Sequence, residues 1–351
     1  MKVSKRQQQI TLNILKGFDS PSKLAELVEF EDVTTRTIQR DLAALQDIGY
    51  LDRHGEGRGV HYIVATKGLM NIDISTATLE SMLATEDRPV VTYDFERLPL
   101  MAKEQLFSTE ETTTLFQYDE MYKNAIQHSP DDIVRRERER ITVELSWKSS
   151  MMEGNTYSLL ETETLFKEGL PSSLRSDFET NMVINHKKAL DFATENPDIF
   201  ISGLGVQAVI ELHKLLVKDL DISHTLRDRL VSITGSTYKP LSNPHKIKEE
   251  LERFCETVNS CDNVYEKSLL AYFYIPYLQP FNDGNKRTGR ILANALLLSA
   301  GSFPLSLRAV DPNEYKLAML SFYELGLVGP IKRTYIDQAE YAKNNYIPSK
   351  G

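Results

Sequence analysis

The run Gln279-Pro280-Phe281-Asn282-Asp283-Gly284-Asn285-Lys286-Arg287-Thr288-Gly289-Arg290 gathers residue types that hold phosphate, at spacings that suit the task. It opens an apolar stretch through Ile291, Leu292, Ala295, Leu296, Leu297 and Leu298, so its charged part stands at a helix N-terminus. Such an end carries unpaired N–H groups and a partial positive charge. Asp283-Gly284-Asn285 can fold those groups into a nest around an anion. Arg287 and Arg290, at i and i+3, share one face and can reach the same polyphosphate. Asp283 is a candidate ligand for the Mg²⁺ that accompanies such a molecule. For Asp-Gly-Asn alone, the alternative is a plain turn capping a core helix.

The whole run resembles the signature of the Fic family, HPFx(D/E)GNGRxxR. Pro280, Phe281, Asp283, Gly284, Asn285, Arg287 and Arg290 match it, Lys286 stands where glycine is common, and Gln279 replaces the catalytic histidine. Fic proteins typically transfer AMP from ATP to a protein hydroxyl. The resemblance implies ATP and Mg²⁺ as cofactors and a nucleotide cradle of Asp283, Gly284, Asn285, Lys286, Arg287, Thr288, Gly289 and Arg290, with Arg290 on the terminal phosphate. The family's histidine takes the proton of the attacking hydroxyl, a role suited to its near-neutral pKa. The Gln279 amide can orient a hydroxyl but offers no usable proton acceptor. An impaired transferase and a nucleotide binder without transfer chemistry both stand as readings.

Further segments carry the resemblance across most of residues 90–345. Ser149 to Asn155 carries the family's inhibitory motif, (S/T)xxxE(G/N), through Ser149, Glu153 and Gly154, with Asn155 next to it as a further candidate inhibitory residue, at the end of a helix expected over 131–155. The implied contact is Glu153 with Arg290, a carboxylate competing with a phosphate for one guanidinium. Leu230 to Pro240 alternates apolar and polar and then breaks at Gly235, a hairpin signal. It resembles the Fic flap, in which Ile233, Thr234, Gly235 and Ser236 would hold a segment of a target protein by strand addition. Tyr315 falls where the family often has a tyrosine near the adenine. His186 reads as a packed or capped histidine, and the sequence cannot place His213, His224 or His245 at the site.

Before these elements lies a different pattern. Thr34 to Leu45 puts Ile38, Leu42 and Leu45 on one helical stripe and leaves Arg36, Thr37, Gln39 and Arg40 to face outward. Tyr50-Leu51 and Val60 to Val64 read as two strands around the turn Gly55 to Gly59, with Arg53 and Arg58 available for phosphate. The pattern resembles DeoR-like winged-helix regulators, whose recognition helices often read (S/T)xRTIxRDLxxL, and this implies double-stranded DNA as a partner. Residues 1–65 hold nine Lys and Arg against nine Asp and Glu, so the net charge of −9 lies beyond them. That balance gives little long-range attraction to DNA, and a protein–protein role is the alternative.

The expected organisation is a winged helix over 1–65, a linker over 66–100, and a Fic domain over 101–345 with its core in 200–345. The expected fold is mainly α, an all-helical Fic domain with a β-hairpin flap beside a small α+β winged helix. With 351 residues, 41% hydrophobic and 26% charged, the composition is that of a soluble protein. The two cysteines suggest neither a disulfide framework nor a zinc site. No signal-peptide core and no span of about 20 apolar residues is present, so a cytoplasmic protein without a membrane partner is expected. A homodimer is expected by analogy with the family.

Overall fold

The computed structural model describes residues 3–72, 74–84 and 88–346, and helices dominate it. At the N-terminal end α1 (Lys5–Leu15), α2 (Pro21–Ala25) and α3 (Thr35–Asp47) precede an antiparallel pair, β1 (Leu51–His54) and β2 (His61–Val64). Local chemistry explains the helix starts. Ser4 and Gln7 close a capping box on α1, Ser20 caps α2 ahead of Pro21, and Thr34 accepts the Thr37 N–H at α3. Ile10, Ile14, Leu24, Phe30, Ile38, Leu42, Leu45 and Leu51 form a core belonging to this end alone.

Residues 66–100, expected as a linker, are instead packed between the two ends of the chain. They form α4 (Thr66–Asn71), α5 (Thr76–Leu83), β3 (Val91–Thr92) and the start of α6 (Arg97–Ala102). Ile72, Ile74 and Leu79 share one cluster with Leu12 of α1 and with Leu327. The Val328 N–H donates to Leu69 O at 3.0 Å, and a side chain at Gly329 would come within 2.2 Å of Ile72 O. The apolar residues at 69, 72, 74 and 79 follow neither helical nor strand spacing over any length, so only the surfaces that bury them reveal their role.

The larger body holds α7 (Thr109–Gln127), α8 (Asp131–Met151), α9 (Leu159–Glu168), α10 (Asp177–Glu195), α11 (Asp198–Ile201), α12 (Val206–Leu216), β4 (Tyr238–Lys239) and α13 (Pro244–Ser260). It continues with α14 (Val264–Leu278), α15 (Asn285–Ser299), α16 (Pro312–Leu325) and α17 (Gly329–Asn345). Helix α14 is its axis, buried without interruption from Ser268 to Leu278. A helix apolar all round belongs in a core. Helix α15 returns against it, and Gly289 permits the approach: a Cβ there would lie 2.9 Å from Ala271 O and 2.8 Å from Pro276 Cδ. No helix among the described residues is long and apolar enough to cross a membrane.

The hairpin expected over 230–240 is not formed. Among those residues only Tyr238–Lys239 is strand, and it pairs in parallel with Val91–Thr92. Alternation reports a half-buried strand but not its partner, and here the partner comes from 147 residues earlier in the chain.

Candidate functional site

The loop between α14 and α15 is built by contacts within its own turn. Gln279 closes α14 in the left-handed region at φ 52°, and Gly284 at φ 80° caps α15 without a side-chain hydrogen bond. The Asn285 side chain ties the turn together, accepting the Phe281 N–H at 2.9 Å and donating to Phe281 O at 2.8 Å. The Thr288 hydroxyl donates back to Gly284 O at 3.0 Å. The first turn of α15 is thereby left with backbone N–H groups that no side chain caps, the condition for holding an anion.

His213, which the sequence could not place, reaches this loop from α12. Its ring lies flat on Phe281, with centroids 3.6 Å apart and planes 1° from parallel. Its Nε2 lies 2.9 Å from Asp283 O, so the proton sits on that nitrogen. Burial holds the ring neutral, with its pKa down to about 4. A trans peptide points its N–H opposite to its C=O. Fixing Asp283 O on His213 therefore turns the Gly284 N–H away from that ring.

Gln279 faces inward. Its Nε2 donates to Pro276 O at 2.6 Å and its Oε1 accepts from Asn285 Nδ2 at 2.8 Å, while Arg227 Nε donates to its backbone oxygen. The side chain fastens the end of α14 to the start of α15. Its amide oxygen is already occupied by a donor.

The cations are arranged in depth. The Arg287 side chain is 3% exposed and makes one long contact, from Nη2 to Asp283 Oδ2 at 3.3 Å, while its Nη1 is buried without a partner. Burial lowers its pKa. An orphaned guanidinium nitrogen beside uncapped amides is a place an anion would satisfy. Arg290 is fully buried. Its Nε donates to Ser149 Oγ at 2.9 Å, its Nη2 to Ser149 O at 3.0 Å and to Glu153 Oε1 at 2.9 Å, and its ring neighbour is Tyr315. Burial opposes the Arg290 charge, and the Glu153 carboxylate more than offsets that, raising its pKa.

Glu153 arrives from the turn that follows α8, where Gly154 takes φ +92°. Its other oxygen, Oε2, lies 2.8 Å from Lys286 Nζ. Burial pushes this carboxyl up, but Arg290 and Lys286 together pull it below the ordinary carboxylate value. Behind it, His186 Nδ1 meets Met182 O at 2.8 Å and Nε2 meets Ser149 Oγ at 2.9 Å. With the proton on Nδ1, Ser149 donates to His186 and accepts from Arg290, which satisfies all three groups. Asn155 donates to Glu179 O at 2.8 Å and accepts from Tyr157 N at 2.9 Å, anchoring the turn to α10. Trp147, the chain's sole tryptophan, sits further back on α8, where its Nε1–H donates to Tyr157 O and Lys148 and Arg308 lie near its ring.

The residues expected to touch nucleotide therefore divide. Asp283 and Lys286 reach solvent, and the Arg287 guanidinium lies buried beside them with one nitrogen unpartnered. Asn285, Thr288 and Gly289 are committed to internal bonds or packing. Tyr315, expected beside an adenine, is instead 4% exposed behind Arg290, with its hydroxyl 3.5 Å from Nη1. It sits one turn deep in α16, so it can orient the guanidinium but presents no open face. In the flap segment, Gly235 follows Thr234 in a turn closed by Ser236 N on Ile233 O at 3.0 Å. Arg88 Nη2 donates to Gly235 O at 3.1 Å, and Ser236 Oγ donates to Glu324 at 2.8 Å.

Residues 203–297 match the Fic/DOC family. The chain carries a Fic/DOC family domain. That Fic domain contains Gln279 and the whole loop to Arg290, while Glu153 lies outside the matched residues. Among relatives is the protein adenylyltransferase fic-1 of Caenorhabditis elegans, 26% identical over 234 residues, covering 64% of this chain and 44% of the relative. Another is the protein adenylyltransferase Fic of Nematostella vectensis, 26% identical over 173 residues, covering 48% and 40%. The chain thus spans less than half the length of these two relatives. A Fic domain containing signaling protein from Bacteroides thetaiotaomicron shares the fold, with TM-score 0.56 and 19% identity over 69% of this chain and 100% of that one. A fragment of C. elegans Fic-1 does so with TM-score 0.56 and 19% identity over 96% and 90%.

Proposed function

We propose that the chain is a Fic-type nucleotide-binding protein whose phosphate site is shut by its own Glu153 and whose N-terminal end contacts double-stranded DNA. The observation that carries the first part is the Glu153 carboxylate, shared between Arg290 and Lys286 over the uncapped start of α15. A carboxylate in that place occupies the seat of an anion. ATP with Mg²⁺ fits the residues present: the orphaned Arg287 Nη1 and the free amides suit phosphate oxygens. The Asp283 side chain, 66% exposed, would hold the cation together with phosphate and water, as Mg²⁺ prefers. Among the described residues no cluster of three His, Cys, Asp or Glu side chains offers a metal site independent of such a ligand.

Transfer of AMP to a protein hydroxyl needs a group that takes the hydroxyl proton. The Gln279 amide has no acceptor of that strength, and its oxygen already receives Asn285. Losing a general base costs roughly 10²–10⁴ in rate. Transfer is therefore weak or absent, and nucleotide binding is the function retained. Labelled ATP with Mg²⁺, offered to the wild type, Glu153→Gly and the double variant Glu153→Gly/Gln279→His, tests this. Label on protein only in the double variant supports the reading. Label as strong in Glu153→Gly alone overturns it and leaves an AMP transferase acting on a segment held at Ile233 to Ser236. Calorimetry with ATP on wild type and Glu153→Gly tests the plug, and equal affinities would refute it.

Support for the DNA partner comes from α3, whose Arg36, Gln39 and Arg40 are exposed beside the β1–β2 ribbon, with Thr37 half-buried at the cap. This is the layout of a winged helix-turn-helix. The Arg58 side chain lies outside the described residues. Binding to a duplex, measured across salt concentrations, decides the matter: absent or salt-independent binding removes DNA as the partner.

A further inference from the structure

Helix α8 carries Trp147 and Lys148 side by side, and the loop over 300–311 between α15 and α16 carries Arg308. The fold brings the three together. Lys148 Nζ lies 5.6 Å from the centre of the indole, and Arg308 Cζ lies 5.1 Å from it. Neither cation has an ion pair among the described residues, although Lys148 is only 7% exposed and Arg308 Nη1 is buried without a partner. The polar neighbour of Arg308 is the Tyr341 hydroxyl, which carries no counter-charge. The carboxylate that acts on Lys148 is Asp311, but its Oδ1 already accepts the Asn313 and Glu314 N–H groups at 2.8 and 3.0 Å as the cap of α16. Burial holds the Lys148 pKa below its ordinary value against the pull of Asp311, and Arg308 pushes the same way as burial.

Such an arrangement is costly. Buried charges are ordinarily paired, and two like charges at one ring repel. An aromatic face attracts a cation by about 0.5–2 kcal/mol but neutralises nothing. The indole N–H is committed elsewhere, to Tyr157 O at 2.9 Å. The backbone adds strain: Leu307, buried just before Arg308, sits at φ 61°, where a bulky side chain is rarely found. Strain of this kind persists where the surrounding structure fixes it, and it gathers at ligand sites.

We infer that Lys148 and Arg308 form a binding site for a compact phosphate dianion, free or as a small monoester, on the Trp147 side of α8. The site shares no residue with the loop that opens α15, and it stands without the nucleotide reading. Two unpaired cations call for two negative charges, which phosphate supplies near neutral pH and a single carboxylate does not. The guanidinium fork and the ammonium take separate oxygens of one phosphate, and the orphaned Nη1 gains its acceptor. Bound there, the anion joins α8 to the loop before α16.

The test follows indole emission of the full chain during titration with inorganic phosphate, glycerol phosphate or acetate at fixed pH and ionic strength. Wild type, Lys148→Met and Arg308→Gln are compared by the midpoint of the titration, which a changed starting emission does not move. Phosphate should give a saturable change and acetate none, and each substitution should weaken phosphate binding roughly tenfold or more. Phosphate should also raise the melting temperature of the wild type more than that of either variant. Tighter binding of the glycerol ester assigns the site to a phosphorylated small molecule, and tighter binding of inorganic phosphate assigns it to the free ion. Should Lys148→Met fail to fold, Arg308→Gln at its half-buried position carries the comparison. No saturable change, an equal response to acetate, or full phosphate affinity in either folded variant overturns the site. Phosphate held instead at the start of α15 would survive both substitutions, so that outcome ends this inference and leaves the nucleotide reading standing.

Discussion

Two helix starts in this chain present positive charge in opposite ways. At α15 the cap is a glycine without a side chain, and the side chains of Arg287 and Arg290 are 3% and 0% exposed, each facing a carboxylate from its own chain. At α3 the cap is Thr34, which closes the first turn, and Arg36 and Arg40 stand in solvent without an ion pair among the described residues. A buried cation must carry its counter-charge inside the fold, so its purpose is written in distances. An exposed cation has water and salt for company, and the fold around it says little about what replaces them.

The largest expected difference between the two is in stability. Arg290→Ala leaves Glu153 half-neutralised and Ser149 without its donor, and it should cost about 3 kcal/mol. Arg40→Ala should stay within about 0.5 kcal/mol. Urea unfolding of both variants measures the contrast, and equal losses would erase it.

Acid should act on the buried side next. Burial holds His186 down to about 3 and His213 down to about 4, both below the ordinary 6.5. A histidine kept neutral in the fold charges when unfolded, so its contribution is complete above about pH 6.5 and drains away as pH falls toward the folded value. Each ring loses at most about 1.4 kcal/mol per pH unit in that window. The lowered Glu153 carboxyl has its own window further down, present above the ordinary carboxylate range and lost as pH falls through its folded value. Melting temperatures of wild type and His213→Gln between pH 7 and 4.5 should converge toward acid. Parallel curves would mean that His213 carries no such burden.

Salt should act on the exposed side. If α3 lies on DNA phosphates, Arg36→Ala/Arg40→Ala should reduce the slope of log affinity against log salt by about 2 without moving the melting temperature. An unchanged slope would place DNA, if bound, elsewhere. The cap itself contributes a modest effect on the same side, since Thr34→Ala should cost about 1 kcal/mol in a thermal melt.

Much of this is legible in the sequence. The stripe of Ile38, Leu42 and Leu45 is a local matter, and local spacing suffices for it. The Glu153–Arg290 pair spans 137 residues, and only the two motifs together pointed to it. What could not be read was the choice of partner. Alternation in 230–240 announced a strand but not Val91–Thr92 as its neighbour. Ile72 and Ile74 read as a connector because their burial comes from surfaces distant in sequence. Gln279 was recognisable as a substitution, but its bonds to Pro276 and Asn285 depend on a left-handed residue that glutamine rarely occupies. His213 gave no signal beyond lying on an apolar helix face, and stacking on Phe281 needs the fold to bring α12 across.

The single indole at residue 147 lies on the same helix that delivers the plug, with two cations near its ring. Indole emission from unlabelled protein, excited selectively over the tyrosines, therefore comes from one known spot, beside the moving part if Glu153 withdraws. A colour shift or quench on adding nucleotide would time that withdrawal directly, with no dye and no second fluorophore of its kind to disentangle.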